Sequence, residues 1–198
     1  MDFKSLWRGL PVRVFLLLSL LISSAYALDP GQKAADFSLR ASDGSTVKLS
    51  GLQGKTVVLI FISTRCPYSR AFAKPMAEIA SEYKSKGILF YGINSNNNEP
   101  VEEVAQHAKQ NFPFPVLKDA QSSVAKDYDA QVTPEAFVID ASGIIRYHGA
   151  VGNSSDPTTD PSRANSQELR AALDEVLAKK QITRAKTKAF GCSIKRAA

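Results

Sequence analysis

Val57-Val58-Leu59-Ile60-Phe61-Ile62-Ser63-Thr64-Arg65-Cys66-Pro67-Tyr68-Ser69-Arg70 is the stretch whose reading decides the fold of this 198-residue chain. Its first six residues are apolar and largely β-branched, with no polar side chain to mark a wet face. That is the pattern of a strand buried on both sides. Ser63-Thr64-Arg65 breaks the run, and Pro67 suits the first turn of a helix, where its missing N–H costs nothing. Phe72, Met76, Ile79 and Tyr83 then recur at helical spacing. Cys66 is therefore expected where a buried strand hands over to a helix. Unpaired backbone N–H groups and the helix dipole favour a negative sulfur there, and the thiolate is the reactive form of cysteine. A free cysteine is otherwise most often an inert, buried hydrophobe. The turn setting, with Arg65 and Arg70 nearby, favours Cys66 as a nucleophile.

Working outward, the chain alternates strand and helix signals, which predicts an α/β domain with a central mixed β-sheet flanked by helices. Upstream, Asp36–Leu39 and Val47–Leu49 flank a Ser-Asp-Gly-Ser turn and read as an N-terminal β-hairpin. Downstream, the helix beginning at Pro67 should run to Lys86 with a kink at Pro75. Ile88–Ile93 is a second buried strand, and Asn94–Asn98 is a polar loop whose side chains cap the next helix or orient a substrate. A helix over Pro100–Gln110 turns Val101, Val104, Ala105 and Ala108 inward. A strand at Val116-Leu117, a helix over Ser122–Tyr128, and strands Ala136–Ile139 and Ile144–His148 follow. Residues 152–165 read as a mobile loop, and Ser166 should cap a last helix reaching Lys179.

The ends differ in character from the body. Lys4, Arg8 and Arg13 precede an apolar run and Ala25-Tyr26-Ala27, which predicts a secretory signal peptide over residues 1–27 and no stable membrane insertion after cleavage. The expected protein is thus exported, periplasmic or extracellular. The net charge of +6 is uneven. Residues 28–178 hold 18 acidic and 15 basic side chains, whereas Lys179, Lys180, Arg184, Lys186, Lys188, Lys195 and Arg196 stand in a segment without acid. A basic tail over 180–198, solvated and flexible, is expected beyond a domain over 28–179. A nucleic-acid binder would need its basic residues built into a folded face, so that class is set aside. Two cysteines and two well-separated histidines give no metal-ligand set, and no cofactor loop is present.

Cys66-Pro67-Tyr68-Ser69 after a buried strand resembles the active-site turn of the thioredoxin-like superfamily, with serine where the second motif cysteine usually stands. Ala35–Leu39, Gly54-Lys55, Gly92–Asn96, Val132–Phe137 and Phe190–Lys195 resemble the redoxin branch, the AhpC/TSA peroxiredoxin relatives. The resemblance implies a thioredoxin-like fold, cysteine-based oxidoreductase and antioxidant activity, and a cis Pro134 beside Cys66. It also implies roles for Thr64, Arg65, Pro67 and Thr133 in binding substrate. Peroxiredoxins carry P-x-x-x-T/S-x-x-C around the reactive cysteine; here Ser63 fills the hydroxyl position and Leu59 the proline position. Cys-Pro-Tyr-Ser also resembles some glutaredoxin motifs, which adds glutathione to a thiol reductant, a disulfide-bearing protein and a small peroxide as candidate partners.

With Ser69 in place of a cysteine, Cys66 cannot close a disulfide within its own turn. An adduct or sulfenic acid on Cys66 needs a second thiol to resolve it, and Cys192 is the internal candidate. Ser69 is placed to hydrogen-bond the Cys66 sulfur from one helical turn on. The rival reading is a permanent Cys66–Cys192 bridge in a non-enzymatic binding or scaffold protein. Such a bridge would stabilise by about 4–5 kcal/mol through loop closure.

Overall fold

The computed structural model describes residues 28–152 and 164–197; the expected signal peptide, and most of the loop expected over 152–165, lie outside them. Val57–Phe61 forms β3, buried at every position, and it sits near the middle of a seven-stranded sheet. Two parallel neighbours follow it on one side, β4 (Leu89–Asn94) and β5 (Val116–Lys118). On the other side lie the antiparallel strands β7 (Glu135–Ile139) and β8 (Ile145–Gly149). The N-terminal hairpin, β1 (Ser38–Ala41) and β2 (Thr46–Lys48), is not a separate flap. It joins the sheet through β1 against β5, giving the order β2-β1-β5-β4-β3-β7-β8.

Alternation along β3 feeds two cores. Val58, Ile60 and Ile62 face the side where helices α2 (Ala73–Lys84), α3 (Val101–Asn111) and α5 (Gln167–Leu177) supply Met76, Ile79, Tyr83, Val104, Leu169 and Leu173. Val57, Leu59 and Phe61 face Tyr128, Phe137 and α4 (Ser123–Asp127). Phe61, Tyr128 and Phe137 form an edge-to-face triangle with centroids 5.2–6.2 Å apart. Among the described residues no helix is long and apolar enough to cross a membrane.

Three local expectations need correction. The helix expected over Pro67–Lys86 is two: α1 (Pro67–Ala71) and α2, divided at Phe72. Pro75 lacks the N–H that would bond Ala71, so the break falls one turn before the proline. Val101 is 52% exposed at the start of α3, where Val104 and Ala108 make the buried contact. Ser166 stands at the N-cap of α5, yet the Gln167 N–H is capped by Asn165 Oδ1 at 3.1 Å.

The largest departure is the basic C-terminal segment, which is docked along its length. Ile182 is buried in the core beneath α5. The backbone then follows the edge of β8, with His148 N–H bonded to Ala185 O and Thr187 N–H to His148 O. The Thr187 hydroxyl accepts from Ala150 N–H and meets the Tyr147 hydroxyl at 2.7 Å. The chain crosses to form β9 (Cys192–Ser193), antiparallel to β6 (Val132–Thr133), and Ile194 is buried in the second core. The charges stay outside while a few apolar side chains anchor the backbone. Ile194→Ala should therefore cost about 2–4 kcal/mol in denaturant unfolding. A solvated tail would give no change.

Candidate active site

The strand end, the helix start and two loops meet at Cys66. It is the N-cap of α1, with extended φ and ψ of −75° and 120°, and its Sγ accepts from the Ser69 N–H at 3.5 Å. The Cys66 thiol donates at 3.2 Å to Thr133 O, the carbonyl oxygen of the cis Thr133–Pro134 bond. Pro67 is exposed and opens the helix as expected. The Ser69 side chain does not reach the sulfur. Its hydroxyl is fully buried and accepts from the Ser63 N–H at 3.1 Å, tying α1 back to the end of β3.

Glu99, which no motif marks, organises the turn. This 2%-exposed carboxylate receives the Ser63 hydroxyl, the Thr64 N–H at 2.8 Å, the Arg65 N–H at 3.3 Å and the Asn94 amide at 2.6 Å. Burial pushes its pKa up, but the bonds from Ser63, Thr64 and Asn94 outweigh that and hold it below the ordinary 4.5. Ser63 Oγ in turn accepts from the Cys66 and Arg65 N–H groups at 3.0 and 3.2 Å. The Asn loop does not cap the next helix: Pro100 precedes α3 without a side-chain cap, and Asn94 serves Glu99. Asn96 Oδ1 accepts the Lys195 N–H at 2.9 Å, fastening the C-terminal segment.

Thr64 and Arg65, expected to bind substrate, are both engaged with a carboxylate of the protein. The Thr64 hydroxyl donates to Glu103 at 2.8 Å, and the Arg65 guanidinium grips the same carboxylate at 2.6 and 2.9 Å. The guanidinium and then the Thr64 hydroxyl hold Glu103 down at about 2. A second buried carboxylate clamps the facing loop. Glu135 accepts the Gln131 and Val132 N–H groups at 2.7 and 3.1 Å and pairs with His148 Nε2 at 2.5 Å. His148 lies flat on Phe137, 4.1 Å between centroids. A glutamate inside an otherwise apolar strand signature, Glu135-Ala136-Phe137-Val138-Ile139, was the available signal for it.

Cys192 arrives at this point from the far end of the chain. It pairs with Thr133 across β6 and β9, and the carbonyl of that same residue receives the Cys66 thiol, so the two cysteines meet at Thr133. Burial, then the Cys66 thiol, push Cys192 up to about 11. The two thiols are unbridged. Phe190 packs edge-on against Tyr68 and Phe72, 6.1 and 6.0 Å between centroids. Gly191 has φ of +153°, and a Cβ there would stand 2.0 Å from Thr133 O. Only glycine lets the strand approach this closely. Among the described residues no three His, Cys, Asp or Glu side chains converge as a metal site.

The model of the AhpC/TSA family matches residues 30–148. The chain belongs to the AhpC/TSA family. Its sequence is similar to the thiol-disulfide oxidoreductase ResA of Halalkalibacterium halodurans, 29% identical over 60% of this chain and 67% of that one. It is also similar to chloroplastic peroxiredoxin Q of Triticum aestivum, 28% identical over 59% and 57%. The fold resembles the crystal structure of a hypothetical protein from Sinorhizobium meliloti, with a TM-score of 0.79, 32% identity and coverage of 87% and 97%. The chain is a thioredoxin-like, thiol-dependent oxidoreductase, although the match to peroxiredoxin Q spans little more than half of that protein.

Two predictions follow from the clamps. Glu99 and Glu103 titrate below 4.5 when folded, so the unfolded chain binds more protons as acid is added. Their stabilisation is whole above pH 4.5 and is lost as the pH falls through the depressed values towards about 2. Glu99→Gln should cost about 1–3 kcal/mol at neutral pH by misplacing a donor. It should also flatten the acid-unfolding profile; a profile parallel to the wild type would count against the clamp. Gly191→Ala should lift β9 from Thr133, read as faster alkylation of Cys66 by iodoacetamide.

Proposed function

We propose that this protein is an exported thiol–disulfide exchange enzyme whose working pair is Cys66 and Cys192. The observation that carries the reading is the meeting of these two thiols at the start of α1, brought there from positions 126 residues apart. Cys192 supplies the neighbour that Ser69 cannot. In the cycle, the pair shuttles between dithiol and disulfide. Two electrons and two protons pass between it and a partner dithiol, which becomes a disulfide, or the reverse. The partner is a disulfide- or dithiol-bearing protein or a small thiol such as glutathione. Export rests on the residue pattern of the first 27 positions and fits disulfide chemistry, which persists in oxidising compartments.

Disulfide exchange is favoured over peroxide reduction by the state of the Ser63 hydroxyl. When a thiolate attacks one oxygen of a peroxide, the other leaves as hydroxide or alkoxide and needs a donor at the turn. Ser63 has one proton and gives it to Glu99, while its lone pairs take the Cys66 and Arg65 N–H groups. The Arg65 guanidinium is held by Glu103. The permanent-bridge alternative is separated by reducibility.

Reduced protein treated with one equivalent of diamide should lose two mass units and yield a Cys66–Cys192 peptide, reopened by dithiothreitol. Cys192→Ser should lose the intramolecular disulfide and at least about 100-fold in insulin-disulfide turnover. Unchanged turnover in that variant would refute the pair. Peroxide consumption by the wild type should remain far slower than disulfide exchange.

A further inference from the structure

Within this pair the two sulfurs are placed differently. Cys66 is 3% exposed, beneath the segment that carries Cys192, with Phe190 closing the side along α1. Its sulfur faces the Thr133 carbonyl on one side and the Ser69 N–H on the other. Cys192 is partly exposed, with exposed Ser193 beside it. A thiolate attacking a disulfide must reach one sulfur along the S–S axis and expel the other, and the lower-pKa thiol leaves faster.

We infer that Cys192, not Cys66, is the sulfur that meets outside thiols, with Cys66 as the sheltered second thiol. The inference rests on the reading of the two cysteines as one redox pair. It reverses the order expected from the position of Cys66 at the helix start, which requires an open approach to that sulfur. The docked segment closes that approach.

The steps balance as follows. A thiolate of a reducing dithiol attacks Cys192 Sγ, and a new S–S bond forms between donor and Cys192. The Cys66–Cys192 bond breaks, its electron pair leaving on Cys66 Sγ, where the Ser69 N–H receives the negative sulfur. The donor's second thiolate then attacks its own sulfur in the mixed disulfide and releases Cys192 as a thiolate. The donor departs oxidised by two electrons. Cys66 and Cys192 take up protons, and the Cys66 thiol donates to Thr133 O.

Oxidised wild-type protein mixed with excess 2-mercaptoethanol, quenched in acid and digested with pepsin at low pH, tests this without any variant. Mass spectrometry should find the adduct on the Cys192 peptide at least about tenfold more often than on the Cys66 peptide. An adduct mainly on Cys66, or split evenly, would overturn the assignment while leaving the redox pair intact. Failure of the wild type to form the intramolecular disulfide at all would overturn the pair reading, and the assignment with it.

Discussion

Burying a carboxyl group is tolerated only when hydrogen-bond partners surround it, and two such groups set the geometry around Cys66. Glu99 gathers the hydroxyl and N–H groups at the end of β3, and Glu135 gathers the N–H groups before the cis proline together with His148. Each turns an irregular loop into a fixed one, because each side chain accepts from several groups at once and loses them together if it moves. Cys66 and Thr133 lie between these clamps. The 3.2 Å contact joining them is thus a consequence of two carboxyl side chains that never touch the sulfur.

The same economy governs the C-terminal segment. A two-residue ladder is a weak attachment by itself, but it is one point among several. Ile182 and Ile194 fill the two cores, Thr187 satisfies groups at the end of β8, and Asn96 receives the Lys195 N–H. The segment also covers the free edge of β8, which would otherwise offer unpaired backbone groups to other chains. Site and sheet edge are completed by one stretch of chain.

Much of the fold was legible because β3 is apolar throughout and β4 and β7 are largely apolar apart from Asn94 and Glu135 at their ends, and few arrangements bury such strands on both faces. The position of Cys66 followed from that run and from Pro67. The clamps were hidden, since Glu99 stands in a polar stretch where an acidic residue draws no notice. Thr64 and Arg65 looked free for substrate because their partner, Glu103, lies on α3, and no local pattern announces a contact between segments so far apart. The C-terminal segment misled through composition. Its basic residues dominate the count, whereas its anchors are isolated isoleucines and one phenylalanine with no period. Docking of that kind is decided by the shape of the surface that receives it.

The distance between the cysteines along the chain has a consequence for biosynthesis. Cys66 emerges from the ribosome 126 residues ahead of Cys192, and β9 is made after every other described strand. Until then β3 and α1 can form, but the sulfur has neither partner nor cover. The newborn polypeptide thus passes through an interval as a monothiol, open to capture by any oxidant or foreign disulfide in its surroundings. Docking of the segment that carries Cys192 closes that interval, so arrival of the second thiol and protection of the first are one event.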